Sequence, residues 1–208
     1  MRKLLLLGSL LVANLAWAAK PYIAVPNLVY DEGVTNYGVT NALVKKAIIK
    51  DGQYRIMNTP KNFNVAAVVA EINNNKLPEE SETHDVQLGK STSKYSKQTP
   101  RYILVGQVVS SDISDSFYDI KGTTNTSGTK TLSMSVDYDL LDLENNAIIS
   151  SFNVNASGSQ AVILQQSNKD IRVSKSKLVN AAAQDLANQV ADELSQTKVK
   201  HDDDNTQN

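Results

Sequence analysis

The segment Tyr102-Ile103-Leu104-Val105-Gly106-Gln107-Val108-Val109 constrains the fold of this chain more than any other. Successive side chains of a strand point to opposite faces, so an almost unbroken apolar run must be covered on both. The run predicts a central strand in a sheet that carries helices on its two sides. Gly106 removes a side chain where a neighbour packs closely.

The flanking patterns agree with such a sheet. Leu132, Met134, Val136, Tyr138 and Leu140 alternate with Ser133, Ser135, Asp137 and Asp139, the signature of a strand with one wet face. Glu144-Asn145-Asn146 makes a turn, and Ile148, Phe152, Val154 and Ala156 continue on a returning strand, which completes a β-hairpin. Upstream, Tyr22-Ile23-Ala24-Val25 is a first strand that ends at Pro26, and Tyr54-Arg55-Ile56-Met57 is a second strand after the Asp51-Gly52 turn.

Helical periodicity occupies three places. Thr35 or Asn36 caps a helix with Val39, Ala42, Leu43 and Ala47 on its apolar face, widened by Val44 and Ile48. Lys45, Lys46 and Lys50 lie toward its C-terminus, where cations suit the helix dipole. Val65, Val68, Val69 and Ile72 mark a second helix, capped by Asn62 or Asn64. Leu178, Ala182, Leu186, Val190 and Leu194 mark a long third helix over residues 177–195, capped by Ser174. The order predicts an α+β domain, a single mixed sheet of about five strands flanked by three helices. Residues 110–130 and 157–173 read as irregular connections, 76–100 as a polar insertion, and 198–208 as a disordered acidic tail.

The first residues specify destination rather than fold. Arg2 and Lys3 precede an apolar run from Leu4 to Leu15, and Ala16-Trp17-Ala18 supplies small residues at the positions a signal peptidase reads. Residues 1–18 are therefore expected to be a cleaved signal peptide, and 19–197 the folded domain, delivered to the periplasm. The chain has no cysteine, which excludes disulfides, thiolate nucleophiles and zinc–sulfur ligation. A lipid anchor needs a cysteine after the cleavage site, and Ala19 stands there. Loss of Arg2 and Lys3 with the leader leaves 19 basic residues against 22 acidic ones. That balance offers no electrostatic footprint for nucleic acid. Peripheral membrane association and oligomerisation stay open on composition alone.

A search for reactive groups finds little. The two histidines are His84, in the polar insertion, and His201, in the tail, so neither lies on a scaffold that would hold a triad. His201 with Asp202, Asp203 and Asp204 reads as a solvated tail rather than a metal site. Asp137 and Asp139, with Asp142 beyond them, are explained by the wet face of their strand. Gly33 and Gly38 lack the spacing of a phosphate-binding loop. No catalytic residue, metal or cofactor is expected. Phe117, Tyr118 and Ile120 stand out instead, because aromatic and aliphatic side chains within a polar segment are candidate protein-binding anchors.

Three segments resemble the exported domain shared by the curli-secretion protein CsgG and the penicillin-binding-protein activator LpoB. Residues 42–47, leading through Asp51-Gly52-Gln53-Tyr54-Arg55-Ile56, are similar to the family's helix and following strand. Residues 101–108 are similar to its central strand, and 135–151 with Ala156-Ser157-Gly158-Ser159 to its hairpin and glycine-serine exit. Ser150-Ser151-Phe152 stands where the family commonly has a tryptophan. The resemblance implies a non-catalytic periplasmic domain that works by touching envelope proteins. An LpoB-like member would dock on a peptidoglycan synthase and shift it toward an active state. A CsgG-like member would be a subunit of an outer-membrane secretion or assembly complex. Pore-forming members insert membrane hairpins at the places of residues 110–130 and 157–173, where runs of about 9–11 alternating residues would be required.

Overall fold

The computed structural model describes residues 20–74, 99–165 and 170–197. The leader, most of the polar insertion, both histidines and the acidic tail lie outside the described residues. The elements run β1 (Tyr22–Ala24), β2 (Val29–Tyr30), α1 (Ala42–Asp51), β3 (Arg55–Met57), α2 (Val65–Asn73), β4 (Tyr102–Asp119), β5 (Asn125–Asp142), β6 (Ala147–Gln165) and α3 (Lys175–Gln196). They form the expected α+β fold around one mixed sheet in the order β3-β1-β4-β5-β6, with the two-residue β2 added beside β4. β1 runs parallel to β3 and β4, whereas β4, β5 and β6 are successively antiparallel.

Both faces of the sheet are covered, as the apolar run in β4 requires. Tyr102, Leu104 and Val108 join Ile23, Tyr138 and Leu140 under α1 and α3, which contribute Val44, Ile48, Leu178, Leu186 and Val190. Ile103 and Val105 point the other way and meet Val69 of α2 together with Ala24 and Leu141. Each large side chain fully buried in this way contributes about 1.5–3 kcal/mol. The two layers are therefore read directly from the odd and even positions of one strand.

Asparagines stand at the starts of α1 and α2, and Ser174 at the start of α3, where its side chain makes no cap hydrogen bond. Asn64 accepts a hydrogen bond from the Ala67 N–H at 3.2 Å and caps α2. α1 begins only at Ala42, so the expected caps Thr35 and Asn36 are displaced by Asn41. Asn41 does not cap through its side chain. Its amide is buried, donates to the Pro26 carbonyl at 2.8 Å and accepts from the Tyr138 hydroxyl at 2.9 Å. Asn36 instead closes a local turn by accepting from the Gly38 N–H. Gly52, with φ of 82°, ends α1 in the left-handed conformation that favours glycine.

The main departure from expectation is the length of the last three strands. Residues 110–119 and 125–130 were expected to be irregular, yet they extend β4 and β5 into one continuous ladder from Tyr102↔Asp142 to Asp119↔Thr126. Residues 157–165 likewise extend β6, paired to β5 as far as Gln165↔Asn125. Serine and threonine obscured the pattern, because they carry little hydropathy signal while still fitting a pleated, half-exposed surface. A bulge between Val108 and Ser110 shifts the β4 register where the arm leaves the core.

Candidate protein-binding surface

Beyond the bulge, β4, β5 and β6 continue as a three-stranded arm. Cross-strand rows follow from the register. Phe117, Gly128 and Val162 form one row on the face that carries α3, while Tyr118, Ser127 and Ile163 form the next row on the opposite face. Tyr118 and Ile163 are among the most exposed large apolar groups, at 66% and 72%, and Phe117 is 40% exposed. Ile120 sits half-buried in the β4–β5 turn, where its carbonyl accepts from the Thr123 backbone N–H and from the Thr123 hydroxyl.

The three residues singled out from sequence are thus neighbours in the chain but do not form one cluster. Phe117 and Tyr118 project from opposite faces, and Ile120 belongs to the turn. Ile163 was missed. It lies in the four-residue apolar run Ala161-Val162-Ile163-Leu164, in which sequence alone does not separate inward from outward positions.

Two contacts brace the arm. Lys130 pairs with Asp115 at 3.2 Å across the β4–β5 ladder. Ile171, in the segment entering α3, folds back over the arm and is buried. A side chain at Gly128 would stand 2.9 Å from Ile171 Cδ1 and from Leu164 Cδ1, so this glycine makes room for the clasp. Closer to the core, a Cβ at Gly158 would overlap the Leu178 carbonyl oxygen and the Ala182 nitrogen, so the backbone of α3 rests directly on β6.

On the face away from α3 the arm shows Ser114, Ser116, Thr129, Thr131, Ser159 and Ala161. That face is polar along most of its length and offers no apolar band of the kind a membrane-crossing strand presents to lipid. Among the described residues, no helix is long and apolar enough to cross a membrane.

Asp137 and Asp139 occupy the wet face as expected. Asn153 donates to Asp137 at 2.6 Å, and the Ser151 hydroxyl donates to Asp139. Asp142 is different, being buried and held 3.5 Å from Arg101 while it accepts from the Glu144 N–H and the Asn145 amide. Among the described residues no three metal-ligating side chains converge. A cleft of about 800 Å³ lies between the loops after β1 and β3, lined by Leu28, Phe63, Lys45, Lys61 and several asparagines. It is an open trough, and no carboxylate among the described residues lines it.

No family model matches the chain, and no curated protein matches it. Among solved structures, a Helicobacter pylori protein described as a homologue of the neuraminyllactose-binding hemagglutinin is 10% identical, with a TM-score of 0.45 over 86% of this chain and 87% of its own. A hypothetical protein from Chlamydia trachomatis is 12% identical, with a TM-score of 0.44 over 85% and 94%. A lipoprotein from Neisseria meningitidis is 17% identical, with a TM-score of 0.35 over 83% and 99%. Likeness at that level assigns neither an activity nor a partner.

Proposed function

We propose that this chain is a non-catalytic accessory protein of the cell envelope that binds a protein partner through the end of its β-arm. The observation that carries the reading is the placement of Tyr118 and Ile163, large apolar groups exposed in one row of a braced sheet rather than on a loose loop, with Phe117 exposed on the opposite face beside them. A rigid platform loses little conformational entropy on binding, and tyrosine and phenylalanine supply large contact area with few rotatable bonds. The polar residues around them fit the rim of such an interface.

The resemblance to the CsgG and LpoB domain extends this reading to a partner class. On that basis the partner is a peptidoglycan synthase, shifted toward an active state by preferential binding. A photo-crosslinking amino acid placed at Tyr118 in the full-length protein, in intact cells, tests the idea. Capture of an envelope protein, lost when Phe117 and Ile163 are replaced by Ala, is the expected result. Capture of cytosolic proteins alone would refute an envelope role. An envelope partner other than a synthase would refute only the LpoB-like extension.

A further inference from the structure

We propose that β6 is a self-association edge and that two copies of this chain join by antiparallel pairing of residues 159–165. Among the described residues, β6 pairs only with β5, so its outer edge is open. An open edge is normally blunted by charge, proline or a covering element. β6 contains no charged residue and no proline in its 19 residues. The outer edge of β4 is different: beyond its pairing with β2 at Gln107 and Val108 it carries Asp112, Asp115 and Asp119.

The hydrogen-bonding direction along β6 is also defined. Gln189 of α3 donates to the Asn155 carbonyl at 2.9 Å, and the Ser157 N–H donates to Asp185 at 2.8 Å. Odd-numbered residues therefore point their backbone groups outward, and α3 occupies the edge at 155 and 157. No register shift interrupts the strand beyond them, so Ser159, Ala161, Ile163 and Gln165 present outward N–H and C=O groups. The free stretch spans seven residues, about 24 Å. The other free stretch, residues 147–154, lies beside Asp137 and Asp139 of β5 and is broken by a register shift opposite Leu140 and Leu141.

Charge and symmetry select the occupant. Pairing β4 with its own copy would set aspartates against aspartates, whereas β6 against β6 meets no charge. A twofold axis normal to the sheet gives antiparallel strands and keeps the α3-bearing faces of both copies on one side. A parallel symmetric pair would turn one sheet over and match an apolar face to a polar one. With the axis at Val162, the centre of the free stretch, Ala161 of one copy meets Ile163 of the other and Gln160 meets Leu164. Each α3 then lies beyond the far end of its partner's paired segment. The β4 edges, with Phe117 and Tyr118, fall on the two outer sides of a six-stranded arm.

Sedimentation equilibrium of the purified protein tests this. Ala161→Pro removes an outward N–H and leaves the β5 ladder intact, because a proline on the open side of an edge strand costs no ladder bond. The substitution acts twice per dimer, so dissociation is expected to become easier by about tenfold or more. Ile163→Lys, which restores an edge charge, is expected to act in the same direction, and Tyr118→Ala to leave the dimer unchanged. Because the chain lacks cysteine, Val162→Cys supplies an independent readout, an oxidant-dependent dimer band that Ser114→Cys on the β4 edge does not give. A strictly monomeric wild type overturns the proposal. So does a larger closed ring, or a dimer indifferent to both Ala161→Pro and Ile163→Lys.

Discussion

Replacing Gly158 by alanine adds one methyl group at the most confined backbone contact between helix and sheet. Its Cβ would meet the Leu178 carbonyl oxygen and the Ala182 nitrogen, both main-chain atoms, closer than real Cβ atoms approach anything. Backbone does not rotate away as a side chain does, so α3 must lift by roughly 0.5–1 Å near that point. A gap of this size forfeits about a quarter to a half of each affected dispersion contact. The residues that lose contact are Leu178, Ala182 and Leu186, all buried against the sheet. Overpacking a tight core commonly costs about 1–3 kcal/mol, and the rigid obstacle places this case at about 2–4. For a domain of this size that lowers Tm by about 5–15 °C. Thermal unfolding followed by circular dichroism measures it directly. The control is Gly122→Ala, where φ is 78° but nothing lies within 4 Å of the added methyl. There only the left-handed backbone resists, at about 1–2 kcal/mol. A Gly158→Ala loss smaller than the Gly122→Ala loss would refute direct seating of α3 on β6.

Two further perturbations probe the interior. Asn41→Ala strands the Tyr138 hydroxyl and the Pro26 carbonyl, so we expect a loss of about 2–4 kcal/mol in chemical denaturation, whereas Tyr138→Phe, which strands only the Asn41 Oδ1, should cost about 1–3. Burial raises the pKa values of Tyr138 and Tyr54 well above the usual 10, with the neighbouring Tyr30 adding to the rise at Tyr138, and Tyr102 and Asp51 to that at Tyr54. The folded state then holds those protons where the unfolded chain releases them, so stability is full below about pH 10 and falls as pH rises beyond it. Tyr54→Phe should flatten that alkaline loss in denaturation curves at pH 9 to 11, and an unchanged slope would contradict the assignment.

The sheet and the helices were legible because their apolar residues recur at periods that only one local geometry explains. The run 102–109 demanded covering layers on both faces, and α1 and α3 on one side and α2 on the other supply them. What sequence did not reveal was the arm. In 110–119 and 125–130, the many serines and threonines look like a loop until a partner strand is placed beside them. Cross-strand pairing is nonlocal, and a window along one chain does not contain it. The start of α1 was misplaced for a related reason. Asn41 serves a tyrosine 97 positions away rather than its own helix. Of the candidate contact residues, Phe117 and Tyr118 were visible as aromatics in a polar setting, but their opposite facing follows only from the ladder.

Ile171 has a consequence beyond packing. It rests over Gly128 in the arm and lies just four residues ahead of Lys175, where α3 begins. Besides the seat of α3 on Gly158, this side chain ties the far end of the sheet to the segment that enters the longest helix. A load that bends the sheet tip is thereby passed to the segment that enters α3. The domain is built like a lever, with its handle tied to its own shaft.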